Sequence, residues 1–410
     1  MKQNIRFIKR PMVSKSKMAT MFASALLFGN LLAFSSQNLA SIYEPKALVL
    51  NAILILFILI FEITEITKED GLLFFSTIVF LSLEIFVGDT SIGSASAILF
   101  IIFTITAFKH IKISIFFWRA ILIPTVISLI YVMTHSRNYW SLFSLSNQGI
   151  IVDNVITINP NTLSVFLLIS YIILCLYLEK KKVSRCWRWL LRGGLLTLNY
   201  LLKCRTGMGI SLLIIIGSLV IPYKFWFSKR FALCAYASVL LGGISFPRIF
   251  CILSENDKIN YFIYGLTGKF LFTGREQIWT KFYEHVDMHL AEYLFGVGTH
   301  NVEKIIGNSS IHNSYLWIMS NCGIIGIILF IIFILLTVNK AYKNNVNKLT
   351  VICIWGYLLI LLNFYTEATI CYGFTTVMMN MILGLANNYS LNTMGELNET
   401  DKSNSNYGLL

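Results

Sequence analysis

Apolar residues run in long, nearly unbroken stretches along most of this chain, as at Ala47–Phe61, Ile98–Phe108, Leu163–Leu178 and Ile324–Val338. A helix crossing a bilayer needs about 20 such residues, and the period-two alternation of a membrane barrel strand is absent. The pattern predicts about twelve helical spans, at 19–38, 46–65, 71–88, 92–108, 114–133, 161–178, 187–203, 207–223, 231–250, 312–338, 348–366 and 368–387. The expected fold is therefore all-α, a polytopic transmembrane helical bundle. Residues 1–250 supply about nine spans and 312–387 about three, and the Asn/Ser-rich 388–410 reads as a disordered tail.

One interval departs from the pattern. Across 251–311 the apolar runs stop, and charged residues, tryptophan, glycines and the histidines at 285, 289 and 300 gather, leading into His312. Within it, Thr273-Gly274-Arg275-Glu276 fits a capping box, with Thr273 as cap. Ile278, Phe282, Val286, Leu290 and Leu294 then recur every fourth residue, which predicts an amphipathic helix lying on a membrane surface. Gly296-Val297-Gly298 ends it. Ser310 or a neighbour is the expected cap of the next span, with His312 in that span's first turn.

Composition agrees. At 410 residues, 56% hydrophobic, 13% charged and with a mean hydropathy of +0.70, the chain lies outside soluble globular usage. The net charge of +13 follows topology. With the N-terminus inside, 23 of the 33 Lys and Arg fall in inner segments, and the long segment Arg248–Lys304 carries slightly more acidic than basic residues. The positive-inside rule then puts both termini in the cytoplasm and 251–311 outside, as one large extracytoplasmic loop. This charge is lipid-surface attraction and no nucleic-acid footprint. Met1–Ser36 also has the form of a signal peptide, although a first transmembrane helix looks the same. The eight cysteines are scattered without CxxC pairs, so neither a disulfide framework nor a zinc site is expected. Glu62, Glu65 and Glu84 lie near span ends, where a solvated interface is the plain expectation.

Three residues share one circumstance, a polar group at the outer interface beside a helix end. Arg205 caps the tight turn Lys203-Cys204-Arg205-Thr206-Gly207 between two spans. Arg275 opens the loop helix, where free N–H groups and the helix dipole favour an anion. His312 opens a span, where the dipole lowers its pKa and keeps the imidazole able to accept a proton. Two arginines and a neutral base around one cavity suit a reaction whose leaving group is a phosphate or diphosphate. Each also has an ordinary alternative: interface arginines snorkel to headgroups, and a helix-start histidine is usually a satisfied polar residue. Other patterns carry less. His285 and His289 beside Glu284, and Glu255-Asn256-Asp257, have metal-ligand residue types but no evident completing ligands. Asn308-Ser309-Ser310 matches a glycosylation sequon, Lys203 can reinforce Arg205 or anchor a helix end, and Gly323 and Gly326 suit close helix packing.

Lys203-Cys204-Arg205-Thr206-Gly207, Thr273-Gly274-Arg275 with Trp279, Gly296-Val297-Gly298, His312-Asn313-Ser314-Tyr315-Leu316 and Gly323-Ile324-Ile325-Gly326 together resemble the O-antigen ligase and polysaccharide polymerase superfamily. The resemblance covers about 200–340. It implies a bacterial cytoplasmic-membrane enzyme acting on polyprenyl-diphosphate-linked oligosaccharides, with donor and acceptor both presented outside and no cofactor. By resemblance, Arg205 and Arg275 hold the diphosphate, His312 orients or deprotonates the acceptor hydroxyl, and Lys203, Trp279, Asn313 and Tyr315 bind substrate or support the junction. A flippase and a chain-length regulator are the implied partners. Asn321 stands where such helices usually carry glutamate, and Cys204 where serine is common. The Thr-Gly-Arg and His-Asn-Ser-Tyr-Leu forms look more like capsule and exopolysaccharide polymerases than ligases. A flippase of the same lipids is the competing class, but it should show repeats and mid-membrane charges that this sequence lacks.

Overall fold

The computed structural model describes residues 15–33, 37–87, 92–147, 160–254, 256–267, 274–307, 310–343, 346–368, 373–388 and 391. Among these residues every regular element is a helix. In chain order they are α1 (Lys15–Leu32), α2 (Gln37–Phe61), α3 (Lys68–Val87), α4 (Ile92–His110), α5 (Ile115–Asn147), α6 (Pro160–Lys180), α7 (Arg185–Leu201), α8 (Arg205–Val220) and α9 (Tyr223–Trp226). There follow α10 (Lys229–Ser254), α11 (Asp257–Thr267), α12 (Arg275–Met288), α13 (Leu290–Phe295), α14 (Thr299–Ile306), α15 (Ser314–Ala341), α16 (Lys348–Asn363) and α17 (Gly373–Ala386).

Four are long and apolar enough to cross a membrane: α5 over Ile115–His135, α6, α10 and α15, joined by shorter apolar stretches in α2, α4, α8, α16 and α17. Their outward faces expose Ile123, Leu213, Leu219, Ile328 and Leu336, a surface suited to lipid rather than water. α16 is apolar on all sides, so it goes to the centre, buried from Leu349 to Leu361 against α6, α10 and α17. Asparagines tie the helices together at this depth. Asn30 of α1 and Asn51 of α2 exchange amide hydrogen bonds at 2.9 and 3.1 Å, and Asn388 donates to the Phe108 and Ile111 carbonyls at the end of α4.

Several expectations change here. The stretch 187–203 forms α7, but its arginines and tryptophans make it amphipathic: Arg192 is buried while Trp187 and Leu190 are exposed. The helix of span five, α5, continues past its predicted end at 133 to Asn147. The interval 251–311 is largely helical, and its main helix packs inward instead of lying on a surface. α12 buries Trp279, Phe282, Tyr283 and Val286 against α10, then breaks at His289, leaving Leu290 exposed. Thr273 lies outside the described residues. Gly274 is the N-cap, and the Glu276 carboxylate reaches back to its amide at 3.0 Å, so the reach-back half of the capping box forms one residue later than expected. Glu62, just beyond α2, is buried instead of solvated.

The largest local departure is within α15. Gly323 adopts φ 60° and ψ −168°, which breaks the helix and frees the Ser320 carbonyl. That carbonyl accepts from the Val297 and Gly298 amides at 2.9 and 3.0 Å. A Cβ on Gly323 would strike the Leu294 carbonyl, and one on Gly296 would lie 2.7 Å from the Asn321 backbone. Gly323, expected to ease helix packing, thus joins Gly296 in letting two backbones meet at a break, while Gly326 faces Cys322 of its own helix.

Candidate functional site

Three chain segments converge on the turn between α16 and α17, and each arrives by a local rule. Asn313 is the N-cap of α15: its side-chain oxygen accepts from the Leu316 amide at 2.8 Å. Its amide nitrogen donates to the Tyr365 carbonyl at 2.7 Å. Ser314 donates from its backbone to Phe364 and from its hydroxyl to Glu367, at 3.0 and 2.7 Å, and the Tyr315 hydroxyl donates to Leu361 at 3.0 Å. The start of α15 thus satisfies the carbonyls left open at the end of α16. α12 is fastened alongside, because the Trp279 indole donates to the Ile311 carbonyl at 2.7 Å while its ring packs on Phe246 and Phe250.

At the centre lies the Glu367 carboxylate, with 8% of its side chain exposed. Oε1 accepts from Arg275 Nη2 and from Asn161 Nδ2 of α6, both at 2.5 Å. Oε2 faces His312 Nδ1 at 3.9 Å. Burial pushes the Glu367 pKa up, but Arg275 and His312 outweigh it and hold the carboxyl below its usual range. Glu367 is therefore an anion fastened between a guanidinium and an imidazole. The side chains of Arg275 and His312 stay 23% and 29% exposed, so both reach outward from the buried acid.

Arg205 arrives through its neighbours. Cys204, the N-cap of α8, donates its thiol to Asn161 Oδ1 at 3.1 Å, and the Thr206 and Thr366 hydroxyls pair at 2.8 Å. The half-buried Arg205 sits between them and feels the Arg275 charge. Lys203 turns the chain into α8 at φ 51° with an exposed side chain.

His312 differs from expectation. It precedes the N-cap of α15 instead of lying in the first turn, and its φ is 51°, a conformation that costs a non-glycine residue about 1–3 kcal/mol. Its charged neighbour is the Glu367 carboxylate, not the helix amides. With Nδ1 turned to that acid, Nε2 is left to meet another partner. Asn313, Tyr315 and Trp279, expected near substrate, are all buried and hold the junction together. Glu367 and Asn161 were not anticipated. One signal was present: Glu367 is a lone carboxylate between the last two predicted spans, on the same side as the long polar interval.

The remaining sequence candidates are engaged elsewhere. His285 pairs with Glu292 at 2.6 Å, and His289 bonds the His285 carbonyl at 2.8 Å. Glu255 and the first two sequon residues lie outside the described residues. Asn321, in the glutamate position of the resemblance, accepts from the Thr299 hydroxyl at 2.6 Å beside the α15 break.

No family model, no curated protein and no solved structure matches this chain. The family resemblance rests on the motifs quoted from the sequence, and the chemistry on the geometry above.

Proposed function

We propose that the chain is a membrane-embedded glycan transferase, one that polymerises polyprenyl-diphosphate-linked oligosaccharide repeat units. In this reading about twelve spans carry it through the cytoplasmic membrane, and the site of Arg205, Arg275, His312 and Glu367 faces outward. The observation that carries the reading is the meeting of Arg275 and His312 on one buried carboxylate, with Arg205 alongside. The acceptor hydroxyl gives its proton to His312 Nε2 as its oxygen bonds the anomeric carbon of the donor sugar. The bond from that carbon to the diphosphate oxygen breaks with its electron pair leaving on oxygen, and the guanidiniums of Arg275 and Arg205 take up the charge. Attack opposite the leaving group inverts the anomeric centre. Glu367 orients the imidazole and stabilises it once protonated, the task of a buried acid behind a histidine base.

A ligase passing finished polymer to a lipid core uses the same chemistry, and the Thr-Gly-Arg and His-Asn-Ser-Tyr-Leu forms favour the polymerase. Surface glycan from a strain lacking the chain separates the readings. A single repeat unit on the carrier lipid or core supports a polymerase, unmodified core with stranded polymer a ligase, and no external glycan a flippase. His312→Ala should abolish chain extension while the protein still inserts; unchanged long polymer would remove the base. Arg275→Lys should also impair it, because a point charge cannot replace a fork of donors.

A further inference from the structure

Away from this site, a cavity of about 380 Å³ separates the α3–α4 pair from one face of α15. Its walls are apolar along most of its length, with Leu73, Ile102, Ile105 and Phe333 among them. On α15 it runs from Ile318, past the break at Gly323, to Lys340, which at 1.5 Å per residue is about 33 Å. That is comparable to the ~30 Å of a bilayer core. A long apolar groove of this kind, closed by charges at one end, suits an extended hydrocarbon chain with a polar head. Leu329, Ile332 and Leu336 line the groove and are also exposed, so it opens sideways onto the apolar outer surface.

The groove ends in four charges that differ in how firmly they are engaged. Asp70 is committed, accepting from Lys109 at 2.6 Å and from the Thr67 hydroxyl at 2.8 Å. Glu69 and Lys340 pair at 2.8 Å, but their side chains are 80% and 37% exposed. An ion pair this exposed is worth about 0–1 kcal/mol, so a ligand bearing both charges can open it. We infer that the groove holds one acyl chain of a zwitterionic aminophospholipid, with the phosphate on Lys340 and the ammonium on Glu69. A polyprenyl diphosphate fits less well, since its charge is entirely negative and would face Glu69 and Asp70. The lipid would fill the gap between α3–α4 and α15, which Lys340–Glu69 bridges at one end; at the other, Ser94 of α4 bonds Thr299 of α14, which itself donates to Asn321 of α15.

The test is native mass spectrometry, with lipid extraction, of the full chain purified in mild detergent. The wild type should retain a phosphatidylethanolamine-class lipid. Thr77→Trp, which fills the groove, should cut retention at least tenfold with helix content unchanged. Lys340→Glu, at the exposed mouth, should also reduce it, and the double exchange Glu69→Lys with Lys340→Glu should restore it by restoring the pair. No retained phospholipid, retention indifferent to both single variants, or a polyprenyl phosphate in its place would overturn the assignment. None of these residues belongs to the Glu367 cluster, so this failure leaves the transferase reading standing.

Discussion

Glu367 is where the reasoning is most exposed to experiment. At an effective dielectric of ~20, two unit charges about 4 Å apart attract by roughly 4 kcal/mol. Desolvating the acid, only 8% exposed, takes back much of that. The surviving coupling to Arg275 should be about 1–3 kcal/mol. Glu367→Gln keeps an acceptor for Asn161 but removes the charge, and should cost about 2–3 kcal/mol. This sits below the usual cost of orphaning a buried charge, because Arg275 is 23% exposed and water can partly replace the acid. The assay is equilibrium unfolding in mixed micelles for Glu367→Gln, Arg275→Gln and the double variant. A coupling below about 0.5 kcal/mol, the level at which independent sites add, would refute the idea that this pair organises the site.

The same pair predicts a pH dependence whose sign is fixed. Glu367 titrates below its usual range in the folded chain, so on acidification the unfolded chain takes up its proton first. The stabilisation is complete above the ordinary glutamate value of 4.5 and is lost as pH falls through the lowered one. Glu367→Gln should remove that part of the acid limb. If the variant and the wild type lose stability in parallel below pH 4.5, the acid is not held as described.

Other consequences follow from single contacts. Trp279→Phe keeps the ring but strands the Ile311 carbonyl, and should destabilise by about 1–3 kcal/mol in the same unfolding assay. An unchanged midpoint would mean that the indole bond does not hold the segment ahead of His312. Gly323→Ala drives a Cβ into the Leu294 carbonyl at a positive φ, and should lower the yield of folded protein or cost at least ~2 kcal/mol. A well-folded, unshifted variant would show that α15 does not break there.

What could be read from the sequence divides along a physical line. Helical class and the positions of most helices follow from burial over 15–25 residues at a time, a signal large enough to survive without tertiary context. The three polar residues at helix ends could be picked out because a charge there is unusual in so apolar a chain. Their common partner was harder to see. Glu367 lies 92 residues from Arg275 and 55 from His312, and they meet because the start of α15 bonds to the α16–α17 turn while Trp279 fastens α12 to Ile311. The setting of His312 was misjudged for a similar reason. Counting from the apolar run puts it inside the helix, whereas the cap is decided by which side chain reaches the Leu316 amide, and Asn313 does so. Moving the cap from Ser310 to Asn313 alters the chemistry. A histidine in the first turn faces the helix amides, whereas one ahead of the cap, held at φ 51°, faces the Glu367 carboxylate. The base proposed here therefore depends on the α16–α17 turn at least as much as on the His-Asn-Ser-Tyr motif that first drew notice to it. A change confined to Glu367 should then disturb His312 without touching α15.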